Sequence, residues 1–200
     1  LTPGELEEIL GPGRGVSHSL NGELLDWAEG EIRNTEGLGA RFIPFTDPGY
    51  PELLLECPDP PVGLYYKGVS APEDVFRRIS PIAIVGTRDL SPYGREWCCR
   101  IVKAIAGSEG RPAIVSGLAL GTDICAHTEA LDRGLPTIAV MATGIESVYP
   151  WRHTEQAGRI ASTPGCGLIT DFPTGSVPFQ HAFLRRNRII CGMSRATILI

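Results

Sequence analysis

Three arginines fall within four positions of FLRRNRII, residues 183–190: Arg185, Arg186 and Arg188. The chain around them has a net charge of −5, so the cluster is a local feature whose natural complement is an anion. On a helical wheel Arg185 and Arg188 share one side with His181, while Phe183, Ile189, Ile190 and Met193 gather on the other. Arg186 falls in the apolar sector, where a cation must reach out to solvent or find a partner. Near a helix start these cations would oppose the macrodipole, which a bound anion would relieve. Another cation, Arg88, lies in GTRDLSPYGREW, residues 86–97. There Gly86 gives a tight exit from an apolar run, and Ser91-Pro92 has the form of an N-cap followed by proline at the first helical position. The amides of such a helix start favour anions. SGLALGTDICAH, residues 116–127, sets Ser116, Gly117 and Gly121 ahead of a Thr122-Asp123 cap and makes a second candidate phosphate cradle. Its glycines are four apart and no GKS or GKT follows, so neither the P-loop nor the GxGxxG fingerprint is met.

Other residue sets invite chemistry less strongly. Asp123 and His127, four apart, could share a helix face as an acid/base or metal pair, but the commoner use is a cap and a satisfied histidine. ATGIESVYPWRH, residues 142–153, mixes aromatic faces with cations in Tyr149, Trp151, Arg152 and His153. Such loops suit base stacking, worth about 1–3 kcal/mol per base, and Tyr149-Pro150 reads equally as a packed turn. The six cysteines, Cys57, Cys98, Cys99, Cys125, Cys166 and Cys191, show no CxxC or Cys/His spacing and read as reduced small hydrophobes. Cys98 and Cys99 adjoin in a helical stretch, where their side chains point about 100° apart and cannot pair with each other. No metal and no cofactor are expected.

Positioning these loops requires a scaffold, and its pattern is plain after Pro81. Short, nearly continuous apolar runs at 82–86, 113–117, 137–142, 167–170 and 196–200 alternate with longer amphipathic stretches. This is the pattern of an α/β, doubly wound, mostly parallel sheet with a crevice at the C-terminal ends of its strands. Residues 41–68 supply brief extended pieces, FIPF and VGLYYKG, around a proline-rich segment, and are expected to form an edge strand and cover layer. Residues 1–40, with GELLDWAEGEI at 22–32, form a small helical lead-in, leaving 41–200 as the main domain. The sequence stops at Ile200 inside an apparent strand, and reads as truncated at the C-terminal part of its sheet.

A hydrophobic content of 42% with 20% charged residues over 200 positions describes a globular chain able to bury a core. No apolar run approaches the roughly 18–20 residues that span a bilayer, and LTPGELEEIL lacks a signal-peptide pattern. The chain therefore reads as cytoplasmic.

GTRDLSPYG, SGLALGTDICAHTEAL, GIESVYP and FLRRNRIICGMS resemble, in order and spacing, the motifs of the DNA-processing protein A family (DprA, also called Smf). YPELLLECPDPPVGLYYKG is similar to that family's lead-in to the sheet, so the resemblance covers roughly 43–200. It implies an extended Rossmann-like domain that binds single-stranded DNA, protects the incoming strand in natural transformation, assists loading of the RecA recombinase, and is not known as an enzyme. Carried over by position, it implies that Gly86 and Arg88, together with Arg185, Arg186, Asn187 and Arg188, form the DNA site. Ser116, Gly117, Gly121 and Thr122 would line the same pocket through hydroxyl and backbone donors. The family commonly has proline at the position of Leu184 and often Ile at that of Thr122. Its sheet continues beyond the strand at 196–200, and its dimer and recombinase contacts lie partly there.

Three neutralised phosphates would give a log-log salt slope on the order of −2. The alternatives are a nucleoside-phosphate hydrolase using Asp123 or Glu129, for which no PGGxGT run is present, and a small-nucleotide sensor.

Overall fold

The computed structural model of the chain describes residues 22–76 and 80–200. Residues 1–21 of the helical lead-in lie outside them. The remainder of that lead-in is one helix, α1 (Gly22–Gly37), longer than GELLDWAEGEI alone predicts. It is followed by β1 (Arg41–Pro44), the short α2 (Glu52–Leu55), β2 (Gly63–Lys67) and the short α3 (Pro72–Phe76). The alternating part then gives β3 (Ile82–Val85), α4 (Pro92–Ala106), β4 (Ile114–Ser116), α5 (Thr122–Asp132) and β5 (Thr137–Val140). A 3-10 turn (Trp151–His153) leads into α6 (Thr154–Ser162), β6 (Gly167–Thr170), α7 (Gln180–Gly192) and β7 (Ala196–Leu199).

Over the described residues these strands make one sheet in the order β1-β2-β6-β5-β4-β3-β7. The five strands after Pro81 are mutually parallel, and β1 and β2 are added antiparallel on the β6 side. The expected edge strand and cover layer is thus two strands, of which β2 is internal. Its interior place explains why GLYY is buried along its length. The helices α4, α5 and α6 follow successive strands leading away from β3. The chain then returns through α7 to set β7 on β3's other side.

Alternation along the strands divides the core between the two faces. Ala83, Val115, Ile138, Val140 and Ile169 pack with Leu54, Ile189, Ile190 and Met193 on the α7 side. On the opposite face Ile84 and Ile114 pack with Cys98, Val102 and Ala126 of α4 and α5, while Ala139 and Leu168 pack with Ala157 and Ile160 of α6. The doubly wound arrangement follows from strands that are apolar on both faces. Its consequence for function is the reversal of strand order at β3, which opens a crevice above the C-terminal ends of β3, β4 and β7. The lead-in helix is tied to the same end of the sheet, because Glu31 accepts hydrogen bonds from the backbone N–H and hydroxyl of Thr174, both at 2.6 Å.

Candidate functional site

The loops leaving β3, β4 and β5 meet the first half of α7 at this crevice. Two adjoining cavities share Arg88, Ala119 and Phe183. One, of about 180 Å³, adds Gly86, Asp123, Arg186 and Asn187; the other, of about 60 Å³, adds Leu120, Ala142, Tyr149 and Pro150. The structure therefore brings Gly86, Arg88, Gly117, Arg186 and Asn187 to the walls of these two cavities. It leaves the side chains of Ser116 and Thr122 buried beneath them.

Local sequence explains how each loop is held. Ser91 accepts the Gly94 N–H at 3.1 Å and Pro92 opens α4, as the Ser-Pro pair predicts. The Thr122-Asp123 pair does not cap α5: the N-cap is Gly121, at φ 75° and without a side-chain bond. Asp123 instead turns back and accepts the N–H groups of Gly117 (3.1 Å) and Ala119 (3.3 Å), tightening the loop ahead of its own helix. Thr122 donates its hydroxyl to Thr87 O at 3.2 Å and Ser116 donates its hydroxyl to Ile84 O at 2.6 Å, so each bridges one strand exit to the next. The glycines serve close approach within the protein. A side chain at Gly117 would collide with the Arg186 guanidinium, one at Gly121 with the Thr87 carbonyl, and one at Gly86 with the Ile200 carbonyl.

The three arginines of α7 have three different environments. Because α7 starts at Gln180 rather than beside Leu184, they sit in its middle, away from the positive end of its dipole. Arg186 is 4% exposed, as the wheel predicts. Its Nη1 donates to the carbonyls of Gly117 and Val140 (2.6 Å to the latter), and its Nε donates to Asn187 Oδ1 at 3.1 Å. Burial pushes its pKa down to about 10, opposed by the Asp123 carboxylate and reinforced by Arg88. It remains a cation at neutral pH, forming the floor of the crevice. Arg185 and Arg188 both donate to Asp171 Oδ2, at 3.0 and 2.9 Å, and Arg188 also reaches the carbonyl and carboxylate of Asp59. The Asp171 side chain is 2% exposed, and its Oδ1 has no hydrogen-bond partner. Sequence reasoning missed Asp171, whose one local signal is a carboxylate directly at the exit of β6.

Arg88 differs from all three. It is exposed, its guanidinium lies 5.3 Å over the Phe183 ring, and among the described residues it makes no ion pair. Phe183, assigned by the wheel to the core side, is half-buried at the crevice rim with Tyr149 at 5.6 Å between ring centroids. Tyr149 and Trp151 of the aromatic loop are exposed, whereas His153 is buried and donates Nδ1–H to Leu118 O at 2.8 Å. That loop is thus both the packed turn and the aromatic surface that its sequence offers.

Asp123 and His127 have separate partners. His127 faces Thr137 Oγ1 at 2.8 Å, and since that hydroxyl donates to Ile114 O (2.9 Å), the imidazole must be the donor through Nδ1. Nε2 is left buried and unpartnered, and burial together with Arg186 pushes the His127 pKa down to about 3. Burial raises the Asp123 carboxyl above its ordinary value against the pull of Arg186 and the two loop amides. Glu129 is paired with Arg133. No cluster among the described residues could hold a metal ion, and all six cysteines are free thiols.

A mixed but mainly parallel sheet, wound on both faces and with a cationic, aromatic-rimmed crevice at its switch point, defines a Rossmann-like α/β domain. The chain belongs to the DNA recombination-mediator protein A family, whose model matches residues 41–200. It is 40% identical over 161 residues to Protein Smf of Synechocystis (80% of this chain, 39% of that protein). It is 37% identical over 153 residues to the DNA processing protein DprA of Streptococcus pneumoniae (76% of this chain, 51% of that protein). The X-ray structure of the S. pneumoniae DprA is similar over 100% of this chain and 66% of that one, with a TM-score of 0.79 and 28% identity. The Helicobacter pylori DprA, whose structure concerns its single-stranded DNA binding mode, is similar over 79% of this chain and 68% of its own (TM-score 0.67, 26% identity). The chain thus spans between two fifths and about half of these two curated relatives. Among the described residues, no helix is long and apolar enough to cross a membrane.

Proposed function

We propose that residues 41–200 bind single-stranded DNA in the crevice, without turning it over. The observation that carries this reading is Arg88: an exposed cation with no carboxylate partner among the described residues, stacked on Phe183, at the join of the two cavities. A phosphate against Arg88 would also feel the buried charge of Arg186, while the rings of Tyr149 and Phe183 offer faces to unstacked bases. Paired bases in a duplex have no free faces to offer these rings, which favours a single strand. The single-stranded DNA binding mode reported for the H. pylori relative supports the same ligand. Strand protection, assistance to RecA and homodimer formation extend this reading to the longer proteins of the family. The carboxylates a hydrolase would use support it less, since Asp123 is bonded to loop amides and Glu129 to Arg133.

Fluorescence anisotropy with labelled single-stranded and duplex oligonucleotides at two salt concentrations tests the proposal. The expected result is preference for the single strand, with affinity falling on a log-log slope of about −0.7 per phosphate contacted. Binding indifferent to salt, or none at low salt, would reject it. Chromatography for base released from nucleoside monophosphates tests the hydrolase alternative in parallel.

A further inference from the structure

The seam between α4 and α5 holds a cluster of thiols that has no part in the crevice. Cys99 of α4 and Cys125 of α5 have their sulfurs 4.0 Å apart. Cys98, the other α4 thiol at this seam, is 0% exposed, Cys125 is 5% exposed, and Cys99 is partly open to solvent. The neighbouring Cys98 and Cys99 thiols and the charge of Arg95 lower the Cys125 thiol below its ordinary value against the effect of burial. Burial and the neighbouring sulfur and Glu129 raise the Cys99 thiol instead. The seam thus sets a thiol at the solvent edge, Cys99, within 4.0 Å of a buried one, Cys125.

We infer that Cys125 and Cys99 form a peroxide-reactive dithiol site, in which one sulfur attacks the peroxide and the other, 4.0 Å away, resolves the product. The first sulfur attacks one oxygen of hydrogen peroxide as a thiolate; the O–O bond breaks, the departing hydroxide takes the proton that thiol released and becomes water, and the sulfur is left as S–OH. The second sulfur then attacks the oxidised one, forming the S–S bond and expelling hydroxide, which takes the second thiol's proton to give another water. Two electrons pass from the sulfurs to the peroxide. From 4.0 Å the sulfurs must close by about 2 Å to bond, a movement on the scale of one side-chain rotation. The bond would join α4 to α5, the helices whose leading loops, 86–91 and 117–121, frame the crevice. It would thereby fix the spacing of those loops.

The test treats the chain with hydrogen peroxide, unfolds it, alkylates the remaining thiols and maps the peptides by mass spectrometry. A Cys191→Ser background removes the exposed thiol, which offers a route to intermolecular products. The expected result is loss of two thiols in one step, a linked peptide pair containing Cys99 and Cys125, and full recovery with dithiothreitol. Cys98→Ser should keep the link and Cys99→Ser should abolish it. A link running through Cys98, two thiols lost in Cys99→Ser, or no link under peroxide that oxidises Cys191 in the parent chain would each overturn the inference.

Discussion

Arg186→Ala and Arg88→Ala should separate stability from binding at one crevice. In Arg186→Ala the carbonyls of Gly117 and Val140 lose their buried donor. Two charge-assisted bonds are worth about 1.5–3 kcal/mol each, and each stranded carbonyl adds about 1–3 kcal/mol of desolvation. Against this, removing a cation whose pKa burial has lowered from 12.5 to about 10 relieves about 3 kcal/mol. The balance is a loss of about 2–9 kcal/mol, and even its lower end lowers Tm by about 4 °C or more in a chain of this size. Arg88 is exposed and has only its stacking on Phe183 to lose, so Arg88→Ala should stay within about 1 kcal/mol of the parent. Both should bind the oligonucleotide more weakly, Arg88→Ala by about tenfold and with a salt slope shallower by about 0.7. Arg186→Lys should be intermediate in Tm, because an ammonium keeps the charge but lacks the planar fork. Thermal melts by circular dichroism, run beside the anisotropy titration, report both quantities. Equal melting temperatures for Arg186→Ala and Arg88→Ala would refute the assignment of Arg186 as the structural cation of the floor.

Asp171→Asn should release Arg185 and Arg188 for phosphates: affinity for single strands rises several-fold and the salt slope steepens by up to about 1.4, whereas unchanged or weaker binding would show that these arginines serve the fold alone. His127 stays neutral when folded down to about pH 3 but titrates near 6.5 when unfolded, so the unfolded chain binds the extra proton and stability falls as pH drops below about 6.5. The loss is about 1.4 kcal/mol per pH unit, and urea midpoints at pH 7, 6 and 5 should show a shallower dependence in His127→Gln. Ser91→Ala removes the cap on Gly94 N–H and should cost about 1 kcal/mol by urea denaturation, without change in the parent's pH dependence.

Much of this molecule was legible in local sequence. Apolar runs placed the five parallel strands to within a residue or two: β4 to β6 are buried along their length and β3 nearly so, so their sequences run almost continuously apolar, and β7 carries the same kind of run although most of it is exposed. Ser91-Pro92 announced the start of α4, since capping is settled within four residues. Arg186 was legible as the inward cation because helical periodicity alone assigns it to the apolar sector. Thr122-Asp123, which has the composition of a cap, was not legible: the Asp123 carboxylate is better satisfied by two loop amides that the fold turns toward it. The start of α7 was not legible either: the resemblance pointed to Leu184, where the family commonly has proline, while the helix begins at Gln180.

What the sequence determined by itself is therefore the layered scaffold, the positions of the strand exits and the presence of cations beside them. Only the tertiary structure decided which cations remain available. Asp171 and Asp59 lie 14 or more residues from the arginines they hold, and nothing local in FLRRNRII records that Arg185 and Arg188 are paired. Helical periodicity tells which way a side chain points, but a charge is satisfied by whatever group the folded chain brings within about 3 Å of it. For that reason Arg88, the least conspicuous of the four cations in the sequence, is the one the fold leaves open to a ligand.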